Sequence, residues 1–161
     1  MPATDTLASP FDLDDDAAYQ RWREAKLAAR PRCIDDLVVD IADPTALAAT
    51  ERAALLGRLA RCNMALYRLR TPRDDRPAIV ALAGQLGMHQ LDANWLADED
   101  GVSHITRSDR SDGRGGFIPY TDRPIRWHTD GYYHPDERRI RGMVLHCVQP
   151  ALEGGINALL D

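Results

Sequence analysis

The feature that most constrains the fold of this chain is a change of texture near residue 89. Before it, apolar residues recur at helical spacing between capping and proline signals. After it, short β-prone runs alternate with polar turns at roughly ten-residue spacing. The runs fall at residues 91–96, 102–106, 117–121, 125–129, 140–148 and 156–160. This spacing predicts a sandwich-like or barrel-like β element behind a helical flank, an α+β architecture. The 161 residues suit a single domain with a sizeable core.

In the flank, Asp14, Asp15 and Asp16 cap and charge the start of a helix that Pro31 ends. Its apolar stripe is Ala18, Trp22, Ala25 and Ala29. Residues 1–13, with Pro2 and Pro10, read as a poorly ordered tail. Leu37, Val38 and Val39 predict a strand over 34–41. Asp43-Pro44 predicts a second helix start, the helix running to Cys62 and burying Leu47, Leu55, Leu59 and Cys62. A strand over 64–69 follows, then a helix opened by Asp74, Asp75 and Pro77 and closed by Gly87. Nothing in residues 14–88 demands chemistry.

Charge narrows the partners. Twenty basic residues against 25 acidic ones give a formal charge of -5, and Arg supplies all but one of the basic residues in a scattered distribution. A nucleic-acid or anionic-membrane partner calls for a clustered basic face, so neither is expected. No apolar run approaches a membrane span, and no signal-peptide pattern is present. Three widely spaced cysteines, Cys33, Cys62 and Cys147, read as reduced thiols in a cytoplasmic protein. The glycine-rich stretch 111–116 is followed by neither Gly-Lys-Ser/Thr nor a helix signal, so it reads as a mobile loop or lid rather than a phosphate loop.

Chemistry concentrates in the last third. His128-Thr129-Asp130 ends an apolar extended segment, and in a strand residues two apart share a face. An imidazole nitrogen beside a carboxylate oxygen is two thirds of the facial triad of non-haem Fe(II) oxygenases. His134-Pro135-Asp136 has the same spacing. There, Pro135 cannot donate to a sheet ladder and the neighbours form a charged run, so His134 and Asp136 read as surface residues. His146 lies on an expected strand, either as a third ligand or as a sheet-face histidine. His89 and His104 read as structural, and Arg138, Arg139 and Arg141 as an exposed basic turn. Trp127, Tyr132 and Tyr133 wall a substrate pocket or pack in the core, and Asn94, polar within an apolar run, is a pocket candidate.

About forty residues carry a wider pattern: Trp127-His128-Thr129-Asp130-Gly131, a segment ending at Pro150, then Gly154-Gly155-Ile156-Asn157 leading to Asp161. This run resembles the taurine/2,4-dichlorophenoxyacetate dioxygenase family. The resemblance implies a double-stranded β-helix (jelly-roll, cupin-like) with N-terminal helices. It also implies a non-haem oxygenase that uses Fe(II), 2-oxoglutarate and O₂ on a small organic acid, sulfonate or betaine-like substrate. It makes His128 and Asp130 the first two iron ligands. Asn157 falls where the family usually places a Thr that holds a 2-oxoglutarate carboxylate, and an Asn NH₂ also donates to a carboxylate. The family's second iron-binding His and its carboxylate-clamping Arg lie further downstream than Asp161. The expectation is therefore a barrel incomplete in this chain, finished by further sequence, a second polypeptide or an oligomeric partner. Two alternatives stand beside it: a non-catalytic truncated or regulatory subunit of the same fold, and a cupin-like metal protein using His128, Asp130 and His146.

Overall fold

The computed structural model describes residues 9–71, 74–91, 101–108 and 113–161. They fall into two compact units. The first holds the described residues of Met1–Asp74 together with Cys147–Asp161, and the second those of Asp75–His146.

The first unit is built on a parallel strand pair, β1 (Val38–Ile41) and β2 (Leu66–Leu69), in the register Val38 to Leu66 through Ile41 to Leu69. Parallel neighbours need a crossover, and helix α2 (Ala49–Cys62) supplies it. Val39 and Ile41 turn inward while Asp40 faces out, where its carboxylate accepts from Arg68 Nε at 2.6 Å across the pair. Helix α1 (Asp16–Ala29) begins as the sequence predicts, with Asp15 accepting from the Ala18 amide at 2.9 Å. Its inner line is Ala18, Trp22, Lys26 and Ala29; Ala25 faces solvent. Ile41 and Leu55, at 0% and 2% exposed, anchor the small core together with Cys62 and Pro44. Tyr67 is half-buried on β2, and desolvation pushes its phenol up to about 12.

Two boundaries differ from the sequence expectation for the same reason: short acidic side chains capture nearby backbone amides. The segment expected as strand from residue 34 opens as a 3₁₀ turn, Ile34–Leu37, in which Asp36 accepts from the amides of Arg32 and Cys33. The helix expected from Asp43-Pro44 starts five residues later, because Asp43 takes the amide and hydroxyl of Thr45 and closes a turn onto the Ala46 amide. Glu51 then accepts from the amides of Ala42 and Ala48 and tethers the chain at the start of α2. Asn63, at φ 53, ends α2 with its amide on the Leu59 carbonyl.

In the second unit, helix α3 (Arg76–Gln85) is capped by Asp75, which accepts from the Ala78 amide at 2.7 Å. Gly87, at φ 94, closes it: the Gly87 amide donates to Gly84 and the Met88 amide to Ala83, the paired bonds of a Schellman end. Beyond it, short 3₁₀ turns at Arg114–Gly116, Ile118–Tyr120 and Asp136–Arg138 are the regular structure among the described residues. Tyr120 is buried, its carbonyl accepts from the Ser108 amide, and Arg114 sits over its ring at 5.6 Å.

The β element expected after residue 89 therefore has no ladder among the described residues. Residues 117–121 form a 3₁₀ turn around Pro119, and 125–129, 140–148 and 156–160 carry no strand assignment. An extended segment becomes a strand only against a neighbour that takes its N–H and C=O groups. In keeping with this, Met143, Leu145, Ile156 and Leu160 stay exposed. The chain's last residue is nonetheless fixed within the first unit: the Asp161 carboxylate accepts from Lys26 Nζ at 2.8 Å and Asn63 Nδ2 at 2.7 Å.

Two predictions follow from the first unit. Ile41→Ala removes a fully buried side chain from the strand pair and should cost about 2–5 kcal/mol, read from urea denaturation. Asp36, Asp40 and Asp161 are all held below the usual carboxylate range, by the Arg32 and Cys33 amides, by Arg68 and by Lys26 respectively. A depressed carboxylate stabilises the fold above its unfolded pKa and loses that contribution as pH falls through the folded value. Stability should therefore be flat above about pH 5 and decline below about pH 4, and Asp161→Asn should flatten that acid limb.

Candidate functional site

The second unit contains an open cleft of about 380 Å³ lined by Thr129, Asp130, Gly131, Tyr132, His134, Asp136, Arg139 and Ile140. A turn builds it. The His134 amide donates to the Gly131 carbonyl at 2.9 Å, and the Arg138 amide to the Pro135 carbonyl at 2.9 Å. Gly131 sits at φ 67, and a Cβ there would lie 2.6 Å from Ile140 Cδ1 and 2.9 Å from His134 Cδ2. No other residue fits that close approach without displacing Ile140.

His128 and Asp130 enter the turn from a segment that carries no strand assignment. Nε2 of His128 stands 3.7 Å from Oδ1 of Asp130, and both side chains are about half exposed. The other ring nitrogen, Nδ1, lies 2.7 Å from the Arg126 carbonyl oxygen. A carbonyl only accepts, so Nδ1 donates to it and Nε2 is the ring nitrogen that faces the carboxylate. This arrangement recurs in metal-binding histidines, whose second nitrogen donates to a carbonyl or carboxylate.

The donor set fits a divalent cation in part. Cis ligands each about 2.1 Å from an ion stand ~3 Å apart, so a side-chain shift of under ~1 Å would bring the pair into coordination. His128 and Asp130 are two donors, and no group of three His, Cys, Asp or Glu side chains suited to a metal gathers among the described residues. His146, half-buried in the same unit, is not among the cleft-lining residues.

The other candidates are distributed unevenly. Tyr132 lines the cleft with its ring largely exposed and packs edge-on to Tyr133 at 5.3 Å. Trp127 is 71% exposed and does not line the cleft. Asn157 belongs to the first unit, where its Nδ2 donates to the Gly155 carbonyl at 3.1 Å. Asn94 lies outside the described residues, as do Ser111 and Asp112 of the glycine-rich stretch.

The second His-x-Asp, read from sequence as surface, also contributes to the cleft. Asp136 is highly exposed, but His134 is half-buried against Tyr133, with ring centroids 4.7 Å apart, and both line the cleft together with Asp130. The signal that points to this is Gly131. A glycine immediately after one His-x-Asp lets the chain reverse and bring the second alongside the first. Gly131→Ala should destabilise the turn by more than about 1 kcal/mol, because it combines positive φ with the Ile140 collision. The change should appear in the ring-current-shifted NMR resonances of Ile140 and His134.

Comparison with known protein families, with curated proteins and with solved structures gave no match.

Proposed function

We propose that this chain provides part of a non-haem Fe(II)- and 2-oxoglutarate-dependent oxygenase. It would act in the cytoplasm on a small organic acid, sulfonate or betaine-like substrate. The observation that carries the reading is the hydrogen bond from His128 Nδ1 to the Arg126 carbonyl, which turns Nε2 toward the Asp130 carboxylate. His128 Nε2 and Asp130 Oδ1 would hold the ion. Once bound with 2-oxoglutarate and O₂, the metal supplies the oxidising power for hydroxylation or oxidative cleavage.

The protein's own part is positional. The Arg126 carbonyl fixes the imidazole tautomer, Gly131 permits the turn that forms the cleft, and Tyr132 offers an aromatic wall and a hydroxyl. In this reading Asn157 holds a 2-oxoglutarate carboxylate through its side-chain NH₂. The third metal ligand and the carboxylate-clamping Arg come from downstream sequence or a partner chain. The double-stranded β-helix remains the proposed framework, with the apolar segments after residue 140 as its strands once they find neighbours. The three cysteines are free, in keeping with a reducing compartment. Among the described residues no helix is long and apolar enough to cross a membrane.

A second reading is a non-catalytic truncated or regulatory subunit that keeps the fold and lacks the full triad. Anaerobic titration with Fe(II) and 2-oxoglutarate separates the two readings. An oxygenase site gives a metal-to-ligand charge-transfer band in the visible, once the chain is combined with its completing partner. Absence of that band in the combined system would favour the non-catalytic subunit. His128→Ala and Asp130→Ala should each abolish the band and any succinate formation. Asn157→Ala should raise the 2-oxoglutarate concentration needed to develop it, with the Fe(II) requirement unchanged.

A further inference from the structure

The cleft that Asp130 lines also holds Arg139, and the placement of that cation bears on what the site accepts. Arg139 is the single Arg or Lys among the eight lining residues. Its Nη2 donates to Asp136 Oδ1 at 2.5 Å, and its amide donates to the Asp136 carbonyl at 3.3 Å, so the residue is fastened to the turn at both ends. The side chain is nevertheless 66% exposed. A guanidinium carries five N–H donors in a planar fork, and the bond to Asp136 engages one of them. The remaining donors suit a second oxyanion.

We propose that Arg139 is a specificity-determining residue that binds the anionic end of the substrate, a carboxylate or sulfonate, within the cleft that Asp130 lines. This rests on the reading of His128 and Asp130 as a metal-binding pair. Charge in the cleft supports an anion once that pair is loaded. The Asp130 carboxylate is then engaged by a divalent cation, and Asp136 is already engaged by Arg139 itself. The wider segment agrees: residues 113–146 hold six arginines against four carboxylates, in a chain whose formal charge is -5. A cleft of about 380 Å³ suits a small organic acid. Asp136 acts as a positioning residue, keeping the guanidinium from collapsing onto Asp130.

The test uses the full chain, ¹⁵N-labelled, with Co(II) as a spectroscopic stand-in for Fe(II). Methanesulfonate and propionate serve as minimal anionic probes. Both should shift the Arg139 Nε–Hε resonance, and both should bind more tightly when Co(II) is present. Arg139→Gln should weaken binding of both anions about tenfold, the loss expected for one charge-assisted hydrogen-bonded contact. Arg139→Lys should recover part of it, and Arg138→Gln, one residue away, should leave it unchanged. The Co(II) absorption bands should be the same in all three variants. If Arg139→Gln binds both probes as tightly as the parent chain, the proposal fails while the metal pair stands. It fails equally if only 2-oxoglutarate binding responds to Arg139→Gln. Co(II) bands insensitive to His128→Ala would overturn the metal reading, and anion binding at Arg139 would then have no place in substrate positioning.

Discussion

The first unit depends on the parallel pairing of β1 with β2. Parallel strands cannot be joined by a tight turn, so the pairing requires the α2 crossover, and the crossover puts Leu55 and Cys62 into the core with Ile41. Once Val39 and Ile41 face inward, Asp40 and Arg68 must face out as neighbours, and their ion pair follows from the register. The pair is exposed and adds little to stability by itself. Its value is as a marker of that register.

The candidate site depends on a smaller interaction, the hydrogen bond from His128 Nδ1 to the carbonyl two residues earlier. A His-x-Asp without it has two tautomers and a freely turning ring. With it, one nitrogen is committed and the other is presented beside a carboxylate, the state a metal needs. Gly131 then sets what surrounds Asp130. By reversing the chain at positive φ it brings His134, Asp136 and Arg139 to the same cleft, and turns a short linear motif into a concave surface.

Much of the helical flank was legible from residues. Asp15, Asp75, Pro77 and Gly87 act within one turn of their own positions, so their capping roles follow from sequence alone. Asp36 and Asp43 were harder, because a carboxylate near a boundary serves equally as an N-cap or as a partner for loop amides, and the nearest available donor decides. The spacing of His128 and Asp130 marked them as a pair, and they approach to 3.7 Å in a segment with no strand assignment. The contribution of His134 and Asp136 was not, since their local proline and charge argued for surface and only the turn at Gly131 brings them in. Asn157 sits in a different unit from His128, and its proposed role is carried by resemblance alone.

The sequence by itself determined the bounds of α1 and α3, through Asp15, Pro31, Asp75, Pro77 and Gly87. These are short-range matters, governed by φ, by capping and by side-chain periodicity. Tertiary structure decided the pairing of β1 with β2 and the gathering of Asp130, Asp136 and Arg139 around one cleft. It also decided that the apolar runs after residue 140 have no ladder among the described residues. Strand pairing and cleft formation are relations between segments. Periodicity within a segment shows that it can pair, and only the presence of a neighbour with free N–H and C=O groups determines that it does.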